Sequence, residues 1–504
     1  MLYLIFIIAI LIRFLYFPEN IYFGFDQARD AYSALEIFKG DFKIIGPTTA
    51  FEGLHHGVLY YYIIAHFYGL GNMSPEVVAG LMRILNALGI FLIFFITKTL
   101  FDKKVGLFAA LIFAFSFEQT QFSIYMGNPS LAVLSVMIMY LGLALTIFEK
   151  KNFGLPLAFL GLGASIQFQF ALTYLIITFM LVSIIYRKVF LKIPIKIWLQ
   201  SFLALAFSLS TFIIAELKYN FPTIQGLLLL SQSGSQKNLE NIFSTFLFSI
   251  SRMGMYNISG NLGTTFVLVL LLFFLVFFIR EKSLRQKLVF LSIWFFSFLV
   301  TLIVNGGVKN PSQNPPLYYP NVGISIALII FTAFLISSTF NKNKFLGVFL
   351  VVFMLFANVS LIKVFNPQGN FSEISVQQGM LLGDEKKVLD YMYNQSNLEV
   401  FTVKAVTMPL LINTTWSYLF EWYGKNKYGY LPVWNGKNAL GYYGNLKVQE
   451  AQEGLPDKRF LIIEPTRGIA PYLIDDYLKE ENYFTKIVNE KSIGAFIIQE
   501  REKF

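Results

Sequence analysis

The sequence predicts an α-helical polytopic membrane protein with about 11 transmembrane helices and a small extracytoplasmic α/β domain at its C-terminal end. Composition is the first reason: of 504 residues, 56% are hydrophobic and only 14% are charged, whereas soluble domains have about 25% charged residues. The second is a series of apolar segments close to the ~20 residues that cross a bilayer. The third is a change after residue 363, where shorter helical and strand-like patterns replace the apolar runs.

The apolar segments are expected to form the transmembrane helices in chain order. They cover residues 2–17, 77–97, 105–122, 130–148, 154–168, 170–186, 198–216, 263–279, 288–304, 319–339 and 345–363. The first lacks the basic start and cleavage site of a secretory signal, so we expect a retained helix, with a cleaved signal peptide as the alternative. Segments 154–168 and 170–186 are short for two crossings, and Gly161, Gly163 and Gln167 mark the expected turn between them.

Basic residues alternate between the connecting loops and predict the orientation. Short loops rich in lysine and arginine face the cytoplasm. Here they contain Lys98, Lys103, Lys104, Lys150, Lys151, Arg187, Lys188, Lys192, Lys196, Arg280, Lys282, Arg285, Lys287, Lys342 and Lys344. Loops 18–76, 123–129, 217–262 and 305–318 are then outside. We expect a multi-pass protein of the cytoplasmic (plasma) membrane, with its N-terminus inside and residues 364–504 outside.

Two domains follow from these patterns: a transmembrane domain at 1–363, with its first outer loop at 18–76, and an α/β domain at 364–504. In the second, GDEKKVLDYMYNQ and YLIDDYLKEEN predict helices, and LEVFTVKAV, KRFLIIEP and SIGAFIIQE predict strands. The net charge of +10 does not indicate nucleic acid, because residues 364–504 have a net charge of −2 and the excess lies in the membrane part. The absence of cysteine excludes disulfides and thiolate chemistry.

The first outer loop has the densest set of ionisable residues in an apolar chain, which points to a functional site. An amphipathic helix is predicted from Gln27 onward, with Asp26 just before it. Asp26 is then either an N-cap or a general base at the mouth of the bundle. Arg29 and Asp30 lie three and four residues on, so both can share a helix face with Asp26, and Asp30 is a further candidate catalytic residue.

The aromatic segment HHGVLYYY follows a break at Gly46-Pro47. His55, His56 and Tyr60 are candidate substrate-binding residues, and the tyrosines equally suit the interface belt of a membrane protein. His55 and His56 could ligate a metal with Glu52 only from a loop, because adjacent residues on a helix do not face each other. We therefore assign no metal ligands.

Further candidates lie in the later segments. Arg83, near the outer end of the second span, suits a phosphate, with snorkelling or ion pairing as the alternative. Glu118 is the acid of the second outer loop and a candidate second catalytic carboxylate, with a solvated helix end as the alternative. The candidate phosphate-binding cations also include Lys309 and Arg29, followed by Lys218 and Arg252. For each of them the alternative is an ordinary surface charge without a ligand.

Several stretches resemble the GT-C superfamily of polytopic glycosyltransferases, within it the branch of protein O-mannosyltransferases and the lipid A aminoarabinose transferase. They are FDQARDAY, IGP, HHGVLYYY and LMRILNALGIFLIFFITKTLFDKKVGLFAALIFAFS. The resemblance implies a GT-C fold, Asp26 as catalytic base, Arg83 as the arginine of the second span, and Glu118 in the second outer loop. Two departures stand out. Gln27 follows Asp26 where protein O-mannosyltransferases have Asp-Glu, and Tyr125-Met126 occupy a position where the second loop often has arginine.

The resemblance implies an inverting glycosyltransferase that moves a sugar from a polyprenyl-phosphate donor to an extracytoplasmic acceptor, either glycan, lipid or protein. The expected partners are that donor, the acceptor and membrane lipid, without nucleic acid. The sequence requires no cofactor, and a divalent cation is compatible with it. The alternatives are a lipid or glycan transporter or flippase, a ligase of whole glycan chains, and a non-catalytic membrane scaffold. A transporter would have ionisable residues or broken helices near the middle of several spans.

Overall fold

A computed structural model gives the structure of the chain. It describes residues 1–49, 51, 53–232, 238–305, 307, 309, 318–371, 373–374, 377–465 and 467–504. Up to residue 365 the regular elements are helices. In the first 232 residues they are α1 (Leu2–Arg13), α2 (Phe25–Phe38), α3 (Leu59–Leu70), α4 (Pro75–Leu100), α5 (Lys103–Phe115), α6 (Phe117–Ile124), α7 (Asn128–Phe148), α8 (Gly154–Phe168), α9 (Leu175–Ile185), α10 (Arg187–Phe190), α11 (Ile195–Ser208), α12 (Ser210–Lys218) and α13 (Pro222–Gln232).

The remaining membrane-domain helices follow residue 238. They are α14 (Leu239–Gly254), α15 (Thr264–Phe278), α16 (Lys282–Phe296), α17 (Leu299–Asn305), α18 (Ser325–Lys342) and α19 (Lys344–Phe365). A π-helical turn, Met255–Ser259, continues α14, and 3-10 turns precede α9 (Phe170–Tyr174) and α18 (Tyr319–Asn321).

Apolar helices of membrane-spanning length make up much of the domain. In the described part of the chain five are long and apolar enough to cross a membrane, or up to 8 if each bent pair is one span. The bent pairs are α5 with α6 at 56°, α11 with α12 at 62°, and Leu239–Ser259 with α15 at 97°. Leu2–Arg13, Gly154–Phe168 and Phe170–Ile185 are apolar but shorter. Every predicted segment overlaps one of these helices, whereas 11 crossings stays a prediction.

The loops predicted to face outward contact the C-terminal part. Lys386 forms an ion pair with Glu76 at the start of α4, and the backbone N–H of Tyr318 donates to the carbonyl of Glu373 at 2.9 Å. Helix α4 has 26 residues, about 39 Å at 1.5 Å per residue. This length keeps its two ends well apart.

The loops predicted to face the cytoplasm contact one another at the other end of α4. Thr99 Oγ1 donates to Glu149 Oε1 at 2.8 Å, and Lys104 Nζ donates to Asn341 Oδ1 at 2.5 Å. The alternation of loops in the sequence thus corresponds to two separate groups of contacting loops. Which group faces the cytoplasm remains a prediction.

A sheet with flanking helices forms the C-terminal domain. The strands are β1 (Thr402–Val406), β2 (Val433–Asn435), β3 (Lys447–Gln449), β4 (Arg459–Ile463), β5 (Thr485–Ile493) and β6 (Phe496–Lys503), in the order β3-β2-β1-β4-β6-β5. The first four are parallel, β6 is antiparallel to β4, and β5 is antiparallel to β6. The helices are α20 (Leu382–Gln395), α21 (Thr414–Leu419), α22 (Lys425–Tyr428) and α23 (Pro471–Phe484).

Two central strands and two helices of this domain were predicted, but the end of the chain differs. The predicted strand SIGAFIIQE contains the turn between β5 and β6, where Gly494 has a φ of 57°. Strand β5 was missed because it is an edge strand with mostly exposed residues, and so lacks the alternation of a half-buried strand. Strands β2 and β3 have only three residues each.

Candidate active site

Helix α2 begins two residues earlier than predicted, so Asp26 lies in its first turn. Gly24 is the N-cap. Its N–H donates to Gln27 Oε1 at 3.1 Å, while Gln27 Nε2 donates to the carbonyl of Met126 at 2.8 Å. The buried Gln27 therefore closes the first turn and joins α2 to the second outer loop. Asp26 is not the N-cap, and its carboxylate is not used for capping.

Three charged side chains in the first half of α2 form one connected group. Arg29 Nη1 lies 2.6 Å from Asp26 Oδ1, and Arg29 Nε and Nη2 donate to Asp30 Oδ1 at 2.9 and 2.7 Å. The exposed fractions of these side chains are 54% for Asp26, 21% for Arg29 and 4% for Asp30. The predicted shared face is therefore present, with Asp26 as the carboxylate that solvent or substrate can reach.

Burial changes the electrostatic properties of Asp30. It raises the pKa of Asp30 to about 6, although the Arg29 guanidinium opposes this shift. Burial also acts to lower the pKa of Arg29, but Asp30 and Asp26 raise it well above its ordinary value. Arg29 is therefore a fixed cation at neutral pH, held beside the buried carboxylate of Asp30.

Of the predicted substrate-binding residues, His56 and Tyr60 lie near this group. Burial, followed by the charge of Arg29, lowers the pKa of His56 to about 4, so this imidazole is neutral at pH 7. Its Nδ1 accepts from the N–H of Phe170 at 3.1 Å. His55 pairs with Thr48 in an antiparallel β-bridge. Tyr60, on α3, is buried beside Asp30. Its side chain therefore packs against α2 and is not exposed at the surface of the site.

Tyrosines from three separate segments surround Asp26. The rings of Tyr22 and Tyr125 lie 6.4 Å apart, and Tyr125 stacks on Tyr319 at 5.9 Å. Burial, followed by the charge of Asp26, raises the pKa of Tyr125. Tyr125 occupies the second-loop position noted above as often arginine in the resembling family. Tyr22, Tyr125 and Tyr319 thus form a tyrosine wall beside Asp26.

The C-terminal domain also packs on α2. Tyr443 stacks on Tyr32 at 5.4 Å and donates to Glu36 Oε2 at 2.7 Å. Tyr32 OH donates to Glu421 Oε2 at 2.6 Å. The ring of the half-exposed Tyr442 lies 6.0 Å from that of Phe25, next to Asp26. The domain thus brings its own side chains to the site.

Arg83 lies in a buried network between α1 and α4. Its Nε donates to the carbonyl of Arg13 at 3.0 Å, its Nη1 to the carbonyl of Ala79 at 3.0 Å, and its Nη2 to Asn20 Oδ1 at 2.8 Å. The guanidinium also lies 4.8 Å from the centre of the Phe17 ring. Arg83 is 0% exposed, so the predicted phosphate contact would require this network to open.

Glu118 is also fully buried, so the alternative of a solvated helix end is wrong. Ser116 starts a new helix after the bend, which places Glu118 in the first turn of α6. Its Oε1 accepts from Ser325 Oγ at 2.5 Å, and its Oε2 accepts from Asn257 Nδ2 at 2.7 Å and from Tyr318 OH at 2.9 Å. These contacts join α6 to α18 and the π-helical turn, not to the carboxylates of α2.

The other predicted cations belong to other segments of the described structure. Arg252 is buried and pairs with Glu373 at 2.6 Å, Lys218 ends α12, and Lys309 is exposed. Of the predicted cations, only Arg29 contacts the α2 carboxylates in the described structure. Arg29 is therefore the phosphate-binding candidate that this site itself contains.

The structure bears on the metal question only in part. Glu52, which the sequence pairs with the two histidines, lies outside the described residues. Among the residues that are described, no group of three or more histidine and acidic side chains is arranged to hold a metal ion.

The sequence analysis missed Gln27, the tyrosine wall, and Tyr442 and Tyr443 of the C-terminal domain. Gln27 had a local signal, because it stands three residues after Gly24, as a capping-box partner does. Tyr125 and Tyr319 have no such signal, since their segments are 194 residues apart and tyrosines are frequent in this chain.

Comparison with known proteins gives one family match. Residues 55–214 match the family described as dolichyl-phosphate-mannose-protein mannosyltransferase. The matched region starts at His55 and includes α4 and Glu118. No curated protein sequence matches the chain.

Solved structures share the fold over nearly the whole chain. The crystal structure of ArnT from Cupriavidus metallidurans bound to undecaprenyl phosphate superposes with a TM-score of 0.63 at 8% identity, covering 99% of this chain and 97% of that one. The apo form of ArnT gives 0.61 at 10% identity, with the same coverage. The oligosaccharyltransferase of Archaeoglobus fulgidus with Zn and sulfate gives 0.47 at 14% identity, covering 85% of this chain and 62% of that one. At such identities the likeness concerns the fold.

Proposed function

We propose that this chain is a polytopic membrane glycosyltransferase of the GT-C superfamily, and that it transfers a sugar from a polyprenyl-phosphate donor to an acceptor outside the membrane, with Asp26 as general base. The observation that carries this proposal is the exposed carboxylate of Asp26, fixed by Arg29 beside the buried Asp30. A base must be accessible to the acceptor and held in position, and Asp26 meets both conditions. The undecaprenyl phosphate in the ArnT structure supports the donor class.

The chemistry assigned to the site is a single displacement. An acceptor hydroxyl or amine attacks the anomeric carbon of the sugar, and Asp26 Oδ2 takes its proton. The bond between that carbon and the phosphate oxygen breaks on the opposite side, so the configuration inverts, and the electron pair leaves with the polyprenyl phosphate. Phosphate leaves readily, so the requirement is stabilisation of its charge rather than acid catalysis.

Arg29 is the cation assigned to the leaving phosphate. Its guanidinium is partly exposed and already oriented by two carboxylates, so little reorganisation is needed when charge develops. Lys309, on the outer loop before α18, is the second candidate. Arg83 has an indirect role in this proposal, because it joins α1 to α4 beneath the outer loops.

A transporter is the second candidate function, and the three bent helix pairs favour it. Transporters build binding sites where helices are broken, and the buried Glu118 lies beside the break between α5 and α6. The two functions differ in outcome: a transporter moves a lipid-linked sugar intact, whereas a transferase releases free polyprenyl phosphate.

The test is sugar transfer in membranes that contain the full chain, supplied with a panel of radiolabelled polyprenyl-phosphate hexoses and pentoses. We expect Asp26→Asn to lower the initial rate about 100-fold or more, the scale of a lost general base. Asp41→Asn is the matched control, because Asp41 is exposed and pairs only with Lys43 in the described contacts.

Parallel runs with Mg²⁺, Mn²⁺ or EDTA test a metal requirement. An unchanged rate in Asp26→Asn would sink the assignment, and lipid movement without release of polyprenyl phosphate would favour a transporter.

A further inference from the structure

Four lysines surround a cavity at the membrane face that the sequence predicts to be cytoplasmic. The cavity measures about 340 Å³ and lies between the turn joining α7 to α8 and the segment around α10. Its polar lining consists of Lys150, Lys151, Lys188, Lys192, Thr146 and Asn152. It lies far from the candidate active site, since α7 runs from the second outer loop to this turn.

The backbone around this cavity has a defined conformation. The N–H of Lys151 donates to the carbonyl of Leu145 at 3.1 Å, and the N–H of Gly154 donates to the carbonyl of Lys151 at 3.0 Å. On the other side the N–H of Lys192 donates to the carbonyl of Val189 at 3.0 Å. The lysines therefore extend from two fixed turns that face each other across the cavity.

These lysines have no counter-charge from the protein. In the described part of the chain, no carboxylate forms an ion pair with Lys150, Lys151, Lys188 or Lys192. Glu149, the nearest acid in sequence, accepts a hydrogen bond from another residue. Four like charges around one cavity repel one another, so an anion that occupies the cavity would be bound favourably.

The surface beside the cavity is apolar. Leu191 is 83% exposed, Ile195 74% and Leu199 59%, and they continue along the segment from α10 into α11. Large apolar side chains that remain exposed next to a membrane-spanning bundle contact acyl chains. A ligand that matches both features has an anionic head and a hydrocarbon tail.

We propose that this cavity binds the phosphodiester headgroup of an anionic phospholipid from the leaflet on that face, with its acyl chains against the α10–α11 surface. Basic pockets between helices on the cytoplasmic side suit such headgroups. The lipid holds the α7–α8 turn against α10 and stabilises the helix bundle at the end opposite the active site.

The test measures binding of a fluorescent phosphatidylglycerol to the purified full chain in phosphatidylcholine nanodiscs. Lys188→Gln with Lys192→Gln is expected to weaken binding about 10-fold or more, since each lysine near an anionic surface contributes roughly a factor of five. The control is Lys342→Gln with Lys344→Gln, which removes two exposed charges from another loop of the same predicted face and should leave the affinity within about twofold.

Three outcomes would overturn the proposal. Equal weakening in both double variants would mean that general charge attracts the lipid. Competition by inorganic phosphate at concentrations near those of the lipid would identify a free-anion site. Unchanged affinity in the Lys188/Lys192 variant would remove the cavity from consideration. Sugar transfer is measured on the same samples, so failure of the lipid site and failure of the proposed function are distinguishable.

Discussion

At the scale of single residues, Asp30 gives the site a pH dependence. Its pKa lies at about 6 because of burial. It is therefore charged and paired with Arg29 at pH 7, and it takes up a proton as the pH falls through 6. The protonated acid loses the ionic part of this pairing, so Arg29 is held less firmly beside Asp26. We expect the initial rate of transfer to fall below about pH 6 in the wild type.

Asp30→Asn tests this assignment, because the amide has the shape of the acid and does not titrate. The variant should be slower at pH 7 but lack the decline of rate between pH 7 and pH 5. Asp41→Asn, on the exposed surface, should retain the wild-type profile. An acid limb of the same midpoint in Asp30→Asn would show that another group causes it.

Glu118 is expected to act on stability instead of on proton transfer. Four donors point at its carboxylate, and Glu118→Gln would turn an NH₂ group toward at least one of them. An unsatisfied buried donor costs about 1–3 kcal/mol, so the unfolding temperature of the purified protein should fall by several degrees. Glu76→Gln, which breaks a partly exposed ion pair, should cost less than about 1 kcal/mol. A catalytic loss in Glu118→Gln without any loss of stability would contradict this role.

The arrangement of some of these residues could be predicted from the sequence and that of others could not, and the reason is physical. Asp26, Arg29 and Asp30 were found together because helical spacing alone places them on one face. Arg83 and Glu118 were predicted near the outer surface from their positions in the chain, but their hydrogen-bond partners come from α1, α18 and the π-helical turn. Such long-range partners decide whether a charge is exposed or buried, and a single sequence does not reveal them.

At the scale of elements, the connection between α2 and the second outer loop sets the position of Asp26. It depends on Gln27, which accepts from Gly24 and donates to Met126. Gln27→Ala removes both hydrogen bonds, whereas Gln27→Glu keeps an acceptor for the cap and loses the donor. If the loop connection positions the base, both variants should lower kcat about 10-fold with little change in the KM for donor. A normal kcat in Gln27→Glu would show that only the cap matters.

Element boundaries were predictable where periodicity is long and failed where it is short. The apolar segments overlapped helices throughout the membrane domain, whereas β2, β3 and the edge strand β5 were missed. Short strands have too few residues to show a period, and exposed edge strands lack an apolar face. The bends within helix pairs were also missed. One of them, at Ser116, arises from a capping serine inside an apolar run.

At the scale of the whole molecule, the outer loops and the C-terminal domain form one assembly around α2. Tyr443 and Glu421 from the domain bond to side chains of α2, and Lys386 pairs with Glu76. If Asp26 is the base, we expect the acceptor to approach it between Tyr22, Tyr125 and Tyr319 on one side and the C-terminal domain on the other. This arrangement follows from tertiary contacts across several hundred residues, so the sequence predicted the domain but not its role beside the site.

The orientation of this assembly in the membrane is the last prediction, and the absence of cysteine makes it directly measurable. Single cysteines introduced by Lys437→Cys in the C-terminal domain and Lys188→Cys near α10 occupy exposed positions at the two groups of loops. By the positive-inside rule, a membrane-impermeant maleimide should label position 437 in intact cells and position 188 only after permeabilisation. The opposite pattern would place the candidate active site in the cytoplasm, where the proposed acceptor is not found. Labelling of both positions in intact cells would instead contradict the prediction that the two groups of loops lie on opposite sides of the membrane. It would also contradict the prediction that α4 crosses the membrane between Glu76 and Thr99.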